Sequence, residues 1–548
     1  MADQPPKTDA HKTLQDRRST TLDRREFLGY VGAVLASAAC GDMPRSASAA
    51  QAFPTVDTNP DVPTVPPPPA PNLPKNPFTL GVACGDPLPD GFVIWTRLAP
   101  SPLEGGGMPD LEVPVVWEIA HDRHFRDVVH RDWLYTQPEL AHSAHVDVRG
   151  LEPDSWYWYR FRVGDQWQTA PGRARTFPRP SSHPERFRIA TASCQNYVDG
   201  YYTAHRHMSR EELDLVAFLG DYIYEYGYGD GVRSHKGPTL QTLDQFRQRY
   251  ALYKSDRDLQ ASHANCPWVF TWDDHEVSNN YAGLEPDKSN IEDFKKMRAA
   301  AYQAYFEHMP LRVPLPDDPS SLQIYRSAQF GDLINLYVLD GRQYRSGIIC
   351  DGEFAKPCDE ALSPEETMLG DSQQAWLTKK LKRSPTIWNA ICQQTVFSPV
   401  NFDNTIINPD QWDGYQYQRQ ELLNLFASDA VENVTVLTGD IHSAGFAQLR
   451  ADDDDPEDSS TVGYEIVATS ITSGNSTLGG SGDISDLVQE KLGYIKYFNA
   501  GKRGYCLLEY TRDACEVRYR TVSTVEEREA DIMVDKAFRI EADTLEFS

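Results

Sequence analysis

Several polar side chains that could do chemistry follow directly after short apolar runs of this chain. These residues are Cys194, Asp221, Asp273, Asp274, His275, Glu276, Asp440 and His442. Taken singly, an aspartate at the end of a buried strand is often only a helix N-cap. Four apolar runs that each end in a thiol, a carboxylate or an imidazole are not explained by chance surface charge. They predict one shared metal site, because these groups are common metal ligands of proteins.

Smaller features near these residues fit the same interpretation. Gly220 precedes Asp221 and lets the backbone turn tightly and approach an ion closely. Tyr224 adds a phenol three residues after that carboxylate, and further along the chain Asn279 and Asn280 offer amide carbonyl oxygens. The expected site therefore combines hard oxygen ligands with nitrogen and sulfur ligands.

The apolar runs predict strands of a sheet that is covered on both faces. Each run is continuous rather than alternating, which is typical of buried parallel strands. The runs are residues 187–193, 215–219, 268–272 and 434–438. Longer helical stretches such as 294–309 and 363–381 alternate with them. Because ligands bind at the carboxyl ends of strands in open α/β sheets, we predict an α/β catalytic domain over residues 185–548 with its site at that edge.

The region before this domain has a β-type pattern. Short aromatic or β-branched runs at 91–97, 113–119 and 156–161 lie between turn-rich segments. This spacing predicts a small immunoglobulin-like β-sandwich domain over residues 77–180. Residues 51–76 are rich in proline and predict a semi-rigid linker ahead of it.

The first fifty residues have the features of an export signal. Arg24 and Arg25 precede an uncharged segment at 29–39, which predicts a twin-arginine signal over residues 1–50. Asp23 stands where Ser or Thr is common in such signals. A short buried helix of the mature protein is the alternative. We expect the twin-arginine export machinery as a partner of the chain.

Two processing sites are open for this segment. Cleavage after Ala47-Ser48-Ala49 would release a periplasmic or secreted protein, whereas a poor lipobox before Cys40 would leave it lipid-anchored. No run of eighteen apolar residues follows residue 50, so no transmembrane span is expected in the mature chain.

Composition narrows the function further. The aromatic share of 11% and the charged share of 24% suit a globular enzyme better than a disordered scaffold. A formal net charge of −27 argues against a nucleic-acid-binding surface. It also repels anionic substrates at long range, so a phosphate site here needs local cations, most simply metal ions. We expect a monomer.

The cysteines divide into close pairs and isolated residues. An exported chain can form disulfides, and Cys350/Cys358 and Cys506/Cys515 are close enough in sequence to pair. Cys84, Cys194, Cys266 and Cys392 remain, and buried free thiols are the alternative for most of them.

Longer motifs around these residues resemble the PhoD alkaline phosphatase branch of the calcineurin-like metallophosphatase superfamily. In the second half the matching segments are SCQ at 193–195, GDYIYE at 220–225, WDDHE at 272–276, LDGRQYR at 339–345, GDIH at 439–442 and ATSITS at 468–473. In the first half, FTLGVACGDP at 78–87 and WTR at 95–97 resemble the β-domain that precedes PhoD catalytic domains. Cys84 stands where Ser is usual. The resemblance covers residues 77–510.

The resemblance implies a fold and a metal content. The implied catalytic domain has four layers, αββα, with a two-sheet core, flanking helices and a metal cluster of iron and calcium at one edge. The implied ligands are Cys194, Asp221, Tyr224, Asn279, Asp440 and His442, with Asp221 bridging two ions. Independently, thiolate and phenolate suit ferric iron, carboxylate and amide oxygens suit calcium, and zinc would draw more His and Cys. Tyr253 is the alternative to Tyr224 as the phenolate ligand.

This centre predicts an alkaline phosphatase or phosphodiesterase that attacks phosphate mono- or diesters with a metal-activated water or oxide. Asp274 and His275 are expected to orient the attacking or leaving oxygen. Arg342 is either a phosphate clamp or a structural salt-bridge partner. A phospholipase D-like phosphodiesterase is one alternative function, and a non-enzymatic surface module is another.

Other residues that look functional have plainer interpretations. His205 and His207 lie in a predicted helix near the site and are expected to be ordinary polar residues. Residues 452–455 form an acidic run that suits a solvated loop better than a calcium site. Trp412 and Tyr415 are candidates for lining the cleft.

Overall fold

The computed structural model describes most of the chain after its first 65 residues. The described residues are 66–227, 231–235, 237–284, 291–347, 349–350, 358–402, 405–452, 459–474 and 482–548. The predicted export signal, Cys40 and the first part of the linker lie outside them. Within them, no helix is both long and apolar enough to cross a membrane.

Most of the regular structure consists of strands. In chain order they are β1 Val82–Leu88, β2 Gly91–Arg97, β3 Val113–Ala120, β4 Val128–Thr136, β5 Ser143–Val148, β6 Trp156–Val163, β7 Trp167–Gln168, β8 Gly172–Arg175, β9 Arg186–Ala192, β10 Leu215–Leu219, β11 Trp268–Thr271, β12 Arg326–Phe330, β13 Ile334–Val338, β14 Trp388–Cys392, β15 Asn401–Phe402, β16 Thr405–Ile406, β17 Val434–Thr438, β18 Ala444–Arg450, β19 Thr461–Val467, β20 Ile495–Asn499, β21 Arg503–Thr511, β22 Ala514–Val522 and β23 Ile532–Glu541. The α-helices are Thr203–Met208, Leu243–Lys254, Arg257–His263, Ile291–His308, Gly370–Leu381, Gln416–Phe426 and Gly482–Lys491. The molecule therefore has a mixed α/β fold with several sheets.

The larger sheet has nine strands in the order β23-β22-β21-β9-β10-β11-β1-β2-β5. Its centre is the parallel group β9-β10-β11, in which Val216 pairs with Ala190 on one side and Trp268 on the other. Every residue of β10 and β11 is buried, which explains their continuous apolar sequence. The predicted strands at 187–193, 215–219 and 268–272 are therefore confirmed to within one residue at their ends.

A second sheet of seven strands packs against the first. Its order is β12-β13-β14-β17-β19-β18-β20, and β13, β14, β17 and β19 run parallel. One buried cluster draws side chains from both sheets, including Ile189 and Ala217 from the first and Leu336 and Leu437 from the second. Burying apolar surface in this way stabilises the fold by about 25 cal/mol per Å² removed from water.

Helices cover the outer faces of these two sheets. Leu243–Lys254 and Ile291–His308 share a buried cluster with the first sheet, while Gly370–Leu381 and Gln416–Phe426 share one with the second. Both faces of the parallel strands are thus removed from water. Polar side chains that could bind a ligand can therefore lie only at the ends of these strands.

The N-terminal strands divide between two sheets. One is a separate sheet in the order β4-β3-β6-β7, with β8 paired to β6. The strands β1, β2 and β5 instead extend the nine-stranded sheet, because β1 pairs in parallel with β11 at Gly85 and Trp268. A side chain at Gly85 would place its Cβ 2.4 Å from Pro310 O, so this close crossing requires glycine. A sheet thus crosses the boundary predicted at residues 180–185.

The end of the proline-rich segment is packed. Leu73 is buried in the cluster of N-terminal side chains, and its carbonyl accepts a hydrogen bond of 3.0 Å from Trp167 Nε1. Residues 66–76 contain no helix or strand. The described part of the predicted linker therefore lies against the N-terminal sheet near its C-terminal end.

The two close cysteine pairs differ. Cys350 and Cys358 form a disulfide, whereas Cys506 and Cys515 are buried free thiols. Across the β21–β22 hairpin, Cys506 pairs with Tyr519 and Cys515 with Tyr510. The two thiols are therefore about 13 Å apart along the strands, beyond disulfide reach. The pairing that their spacing allowed does not occur, because a hairpin register opposes other residues.

Candidate metal centre

Strand ends from both sheets meet at one site. Cys194, Asp221 and the 273–276 segment follow β9, β10 and β11, and Asp440 and His442 follow β17. At this site, three sets of described ligand atoms each lie within 4.8 Å of one another: Cys194, Asp221 and His442; Asp221, Asp274 and His275; and Asp273, Asp274 and Asp440. Asp221 and Asp274 each belong to two sets. These two carboxylates therefore connect the three sets into one continuous cluster.

The backbone at these positions is unusual. Four of the candidate ligands have a left-handed φ: Cys194 at 55°, Asp221 at 55°, Asp440 at 65° and His442 at 52°. Non-glycine residues held in such conformations cost about 1–3 kcal/mol each, and they concentrate at functional sites. Main-chain hydrogen bonds fix two of them, since Cys194 N donates to Gly220 O at 3.1 Å and Gln195 N to Asp221 O at 3.1 Å. These hydrogen bonds hold the ends of β9 and β10 together, so that the side chains of Cys194 and Asp221 meet at the same site.

Glycines permit this close approach. Gly220 has a φ of 106°, and a Cβ there would lie 2.4 Å from Asp273 Cβ. A Cβ at Gly439 would lie 2.6 Å from Ser193 Oγ. The glycine before each of Asp221 and Asp440 is therefore required by packing between strand ends as well as by the turn.

Cys194, Asp221, Tyr224 and His442, here called the Cys194 group, form one side of the centre. The phenol of Tyr224 lies 2.8 Å from Asp221 Oδ2 and 3.0 Å from His442 Nε2. His442 Nδ1 lies 3.1 Å from Gly474 O, so this nitrogen carries the proton and Nε2 turns its lone pair inward. Burial, aided by the charges of Arg503 and His275, lowers the pKa of His442 to about 3. The ring is neutral at pH 7, as a metal ligand must be.

The structure separates the two candidate tyrosines. Tyr224 OH lies among the ligand atoms and also contacts Ser473 Oγ at 2.7 Å. Tyr253 OH instead accepts a hydrogen bond of 3.1 Å from Tyr197 N. The geometry therefore favours Tyr224 as the phenol of the centre.

Cys194 and Asp221 have atoms that the protein leaves unused or weakly used. Cys194 Sγ has contacts of 3.1 Å to Ser193 Oγ and 3.7 Å to Asp440 O. Asp221 Oδ1 is buried and has no hydrogen-bond partner among the described residues. Burial raises the pKa of both groups well above the ordinary range. A bound cation reverses that shift, and the orphaned oxygen is what a metal-binding carboxylate requires. The residues present therefore fit a metal ion.

Arg342, Asp273, Asp274, Asp410 and Asp440, here called the Arg342 group, form the other side. Arg342 is fully buried; its Nε bonds Asp273 and its Nη1 bonds Asp410 Oδ1 at 2.9 Å. Its Nη2 lies 3.8 Å from Asp440 Oδ1 and 4.0 Å from Asp274 Oδ1. One guanidinium thus bonds two carboxylates and lies near two more, and its buried Nη2 has no hydrogen-bond partner among the described residues. Nε and Nη1 have a structural role, and Nη2 is the one donor of Arg342 that a phosphate could use.

The carboxylates of the Arg342 group are not equivalent. Burial opposes ionisation of Asp274, but the charges of His275 and Arg342 hold its pKa below the ordinary value. Burial raises the pKa of Asp440 to about 7 despite Arg342. Asp440 Oδ2 also accepts a hydrogen bond of 2.5 Å from Gln411 Nε2. Burial also raises the pKa of Asp273 well above its ordinary value despite Arg342, so Asp273 and Asp440 are the carboxylates of this group that an added cation would stabilise most.

His275 uses both ring nitrogens within the protein. Nδ1 lies 2.7 Å from Glu225 Oε2 and Nε2 lies 2.9 Å from Tyr226 OH, while the ring stacks on Tyr224 at 4.2 Å between centroids. Burial lowers its pKa, but the charges of Asp274 and Glu225 outweigh this and raise it. His275 is therefore placed to hold Tyr224 and the strand-end loop in position.

The two asparagines lie beside this loop. Asn279 N donates to Glu225 Oε1 at 2.9 Å, and Asn280 N donates to Asp274 Oδ2 at 2.7 Å. Asn279 is partly exposed, as a ligand at the rim of the centre would be.

Sequence reasoning did not single out Asp410 or Gln411. Asp410 is buried, pairs with both Arg342 and Arg345, and its pKa is held low by them although burial opposes this. The signal that could have found it is the turn-rich segment around Trp412, which carries the acidic residues 410 and 413. Its partners lie about seventy residues away in the chain, so only the fold brings them together.

The remaining candidates have structural roles. His205 Nε2 lies 2.8 Å from Gln195 Oε1 and His207 Nε2 lies 2.9 Å from Ala530 O. Trp412 and Tyr415 belong to the apolar core rather than to an open cleft. Asp452 is exposed, and residues 453–455 lie outside the described part of the chain.

Comparison with known proteins identifies the family of this chain. Residues 189–519 match the model of the PhoD-like phosphatase family, and residues 64–178 match that of the PhoD-like phosphatase N-terminal domain. The chain is 42% identical over 537 residues to alkaline phosphatase D of Bacillus subtilis (strain 168), covering 96% of this chain and 89% of that protein. A solved structure described as "Structure of PhoD" superposes with a TM-score of 0.84 at 43% identity, covering 87% of this chain and 93% of the other. The chain belongs to the PhoD-like phosphatase family and is a phosphoric ester hydrolase.

Proposed function

We propose that this chain is an exported alkaline phosphatase and phosphodiesterase that depends on an iron and calcium centre. The ligands would be Cys194, Asp221, Tyr224, Asn279, Asp440 and His442. The observation that carries the proposal is the buried Oδ1 of Asp221, which has no partner in the described chain and belongs to a carboxylate shared by two ligand sets.

The donor types support the choice of ions. The Cys194 group offers sulfur, phenolic oxygen and nitrogen, which suit iron. The neighbouring set offers mainly carboxylate oxygens, which suit calcium. When bound, such ions would activate water for attack on phosphorus and neutralise the phosphoryl oxygens.

The chain's own residues would position these ligands. Glu276 accepts hydrogen bonds from the main-chain N–H groups of Asp221 at 3.1 Å, Tyr222 at 2.5 Å and Asp273 at 2.8 Å, which ties two strand ends together. Asp274 would orient the attacking or leaving oxygen directly, and His275 would do so through the Nε2 that contacts Tyr226 OH, once that contact is exchanged for the substrate. No covalent phosphoenzyme is needed.

The same proposal extends to architecture and location. The two packed sheets with helices on their outer faces support a four-layer αββα catalytic domain over 185–548. The separate N-terminal sheet supports an immunoglobulin-like sandwich over 77–180, preceded by a linker at 51–76. The disulfide between Cys350 and Cys358 supports an oxidising compartment, as expected for twin-arginine export through residues 1–50 into the periplasm or medium. A lipid anchor at Cys40 is the alternative.

Replacement of Asp221 tests the catalytic proposal. In Asp221→Asn, we expect the rate on a phosphate ester to fall at least about a thousandfold, because several kcal/mol of transition-state stabilisation depend on the shared ligand. Asp332→Asn is the matched control, since Asp332 pairs with Arg512 away from the centre. An undiminished rate in Asp221→Asn would contradict an enzymatic role for the centre and favour a non-enzymatic binding module.

The metals and the substrate class need separate measurements. Elemental analysis of the exported protein should give iron and calcium, with a visible charge-transfer band from thiolate or phenolate ligation. A colourless zinc protein would overturn this assignment. Rates on a monoester, a diester and a phospholipid headgroup distinguish the broad activity from a phospholipase D-like one.

A further inference from the structure

One arginine beside the centre has a partly unused guanidinium. Arg503 begins β21, and its Nη1 donates to the carbonyl oxygens of His442 at 3.2 Å, Ala500 at 3.1 Å and Lys502 at 2.7 Å. Its side chain is partly exposed. Within the described chain no hydrogen bond or ion pair engages its Nε or Nη2, and neither atom is a buried unsatisfied donor. Those two N–H groups therefore face solvent.

Arg342, the arginine that the sequence suggested as a phosphate clamp, differs in its burial and in the number of its free donors. It is fully buried, and its Nε and Nη1 pair with Asp273 and Asp410. Only Nη2 is left without a hydrogen-bond partner among the described residues. Arg342 therefore lacks the two free donors on one edge that a bidentate phosphate contact needs.

The position of Arg503 relative to the Cys194 group suits a contact with an anionic substrate. Nη1 is held on the carbonyl of His442, whose own Nε2 lies 3.0 Å from Tyr224 OH and 3.9 Å from Asp221 Oδ2. Burial lowers the pKa of Arg503, and the neighbouring groups Asp199, Cys194 and Tyr224 oppose this, so Arg503 lies beside the Cys194 group, with Asp199 as the charged neighbour of largest effect. On a chain with a net charge of −27, a fixed cation here makes the approach to the centre locally favourable to an anion.

We propose that Arg503 binds a phosphoryl oxygen of the substrate through its Nε and Nη2. Nη1 acts as the anchor that fixes the plane of the guanidinium, and the remaining edge presents two parallel donors, the arrangement that suits a phosphate. Arg503 would thus favour a dianionic monoester, and the phosphate product, over a monoanionic diester. This inference rests on the proposed phosphoesterase function and adds to it the residue that sets its preference for substrate charge.

The test compares Arg503→Gln and Arg503→Lys with the control Lys502→Gln in the metal-loaded, full-length protein. Lys502 carries the same charge at the adjacent position, but its Nζ pairs with Asp535. The measurements are the inhibition constant of inorganic phosphate, KM and kcat for a monoester and a diester, bound metal and the melting temperature.

For Arg503→Gln we expect phosphate inhibition to weaken at least about tenfold, since a charge-assisted hydrogen bond is lost. KM should rise more for the monoester than for the diester, while metal content and melting temperature stay as in the wild type. Arg503→Lys should recover part of the loss, and Lys502→Gln should behave as the wild type.

Three results would overturn the inference. The first is unchanged phosphate inhibition in Arg503→Gln while the wild type is active, which leaves the proposed function intact. The second is an equal effect in Lys502→Gln, which indicates long-range charge alone. The third is loss of bound metal in Arg503→Gln, which assigns Arg503 to holding the His442 loop. A wild type that hydrolyses neither ester would remove the proposed function and this inference with it.

Discussion

The two sides of the centre differ in how their charged groups are paired. The Arg342 group places four carboxylates around a buried guanidinium that bonds two of them directly. The Cys194 group has no buried cation of its own within the described residues, and it contains the orphaned Oδ1 of Asp221. The Arg342 group also has unpartnered buried atoms, Asp273 Oδ2 and Arg342 Nη2, but its direct ion pairs hold its shape. Among the same described residues, the Cys194 group has no such ion pair and is an incomplete set of ligands. This contrast indicates where the protein depends on its own packing and where it depends on an added ion.

The largest effect on stability should come from Arg342→Met. Removing one partner of a buried ion pair leaves uncompensated charge, so we expect the free energy of unfolding of the metal-free protein to fall by about 3–5 kcal/mol. Urea denaturation measures it. Arg512→Gln is the control, because its pair with Asp332 is 35% exposed on the arginine side and should be worth less than about 1 kcal/mol. Equal losses of unfolding free energy in Arg342→Met and Arg512→Gln would contradict the view that the buried ion pairs of Arg342 hold this side of the centre in shape.

The Cys194 group should respond in activity rather than in stability. In Cys194→Ser we expect the visible band to disappear and the rate to fall by about ten- to a hundredfold, since a hard hydroxyl replaces a thiolate donor to iron. Cys506→Ser is the control, because that thiol is equally buried but lies in β21 away from the ligands. Retention of the band in Cys194→Ser would assign the colour to Tyr224 instead.

The smallest effect should distinguish the two tyrosines. In Tyr224→Phe we expect about a tenfold loss of rate and a shifted visible band, because the phenol lies 2.8 Å from Asp221 Oδ2. Tyr253→Phe removes hydrogen bonds to the main chain of Tyr197 and Tyr224 but no group from the ligand set, so it should change the rate less. Steady-state kinetics and absorbance on both variants check this, and the reverse order of effects would transfer the ligand role to Tyr253.

Two features of the fold could not be predicted from local sequence, because they arise where distant segments meet. The spacing of Cys506 and Cys515 allowed a disulfide, but the register of the β21–β22 hairpin keeps them apart. Strand β1 belongs by sequence to the N-terminal region, yet Gly85 pairs with Trp268 and continues the larger sheet. Neither feature has a signal in the nearby sequence, because each depends on which strand of the sheet is the neighbour and in what register it pairs.

The amino-acid sequence by itself determined the strands of the parallel core and the residues that follow them. Continuous apolar runs can be satisfied only between two covered faces, so their polar ends had to gather at an edge. Cys194, Asp221, Asp440 and His442 could be named on that basis, and the glycines before the two aspartates marked the close approach.

Only the tertiary structure decided which polar groups are paired within the protein and which keep donors for a ligand. Arg342 pairs with Asp273 and Asp410, residues far away in the chain, and keeps only Nη2, whereas Arg503 keeps two donors beside His442. The physical reason is that the charge balance of a buried group depends on every neighbour in space. Spacing along the sequence does not show which residues are neighbours in space.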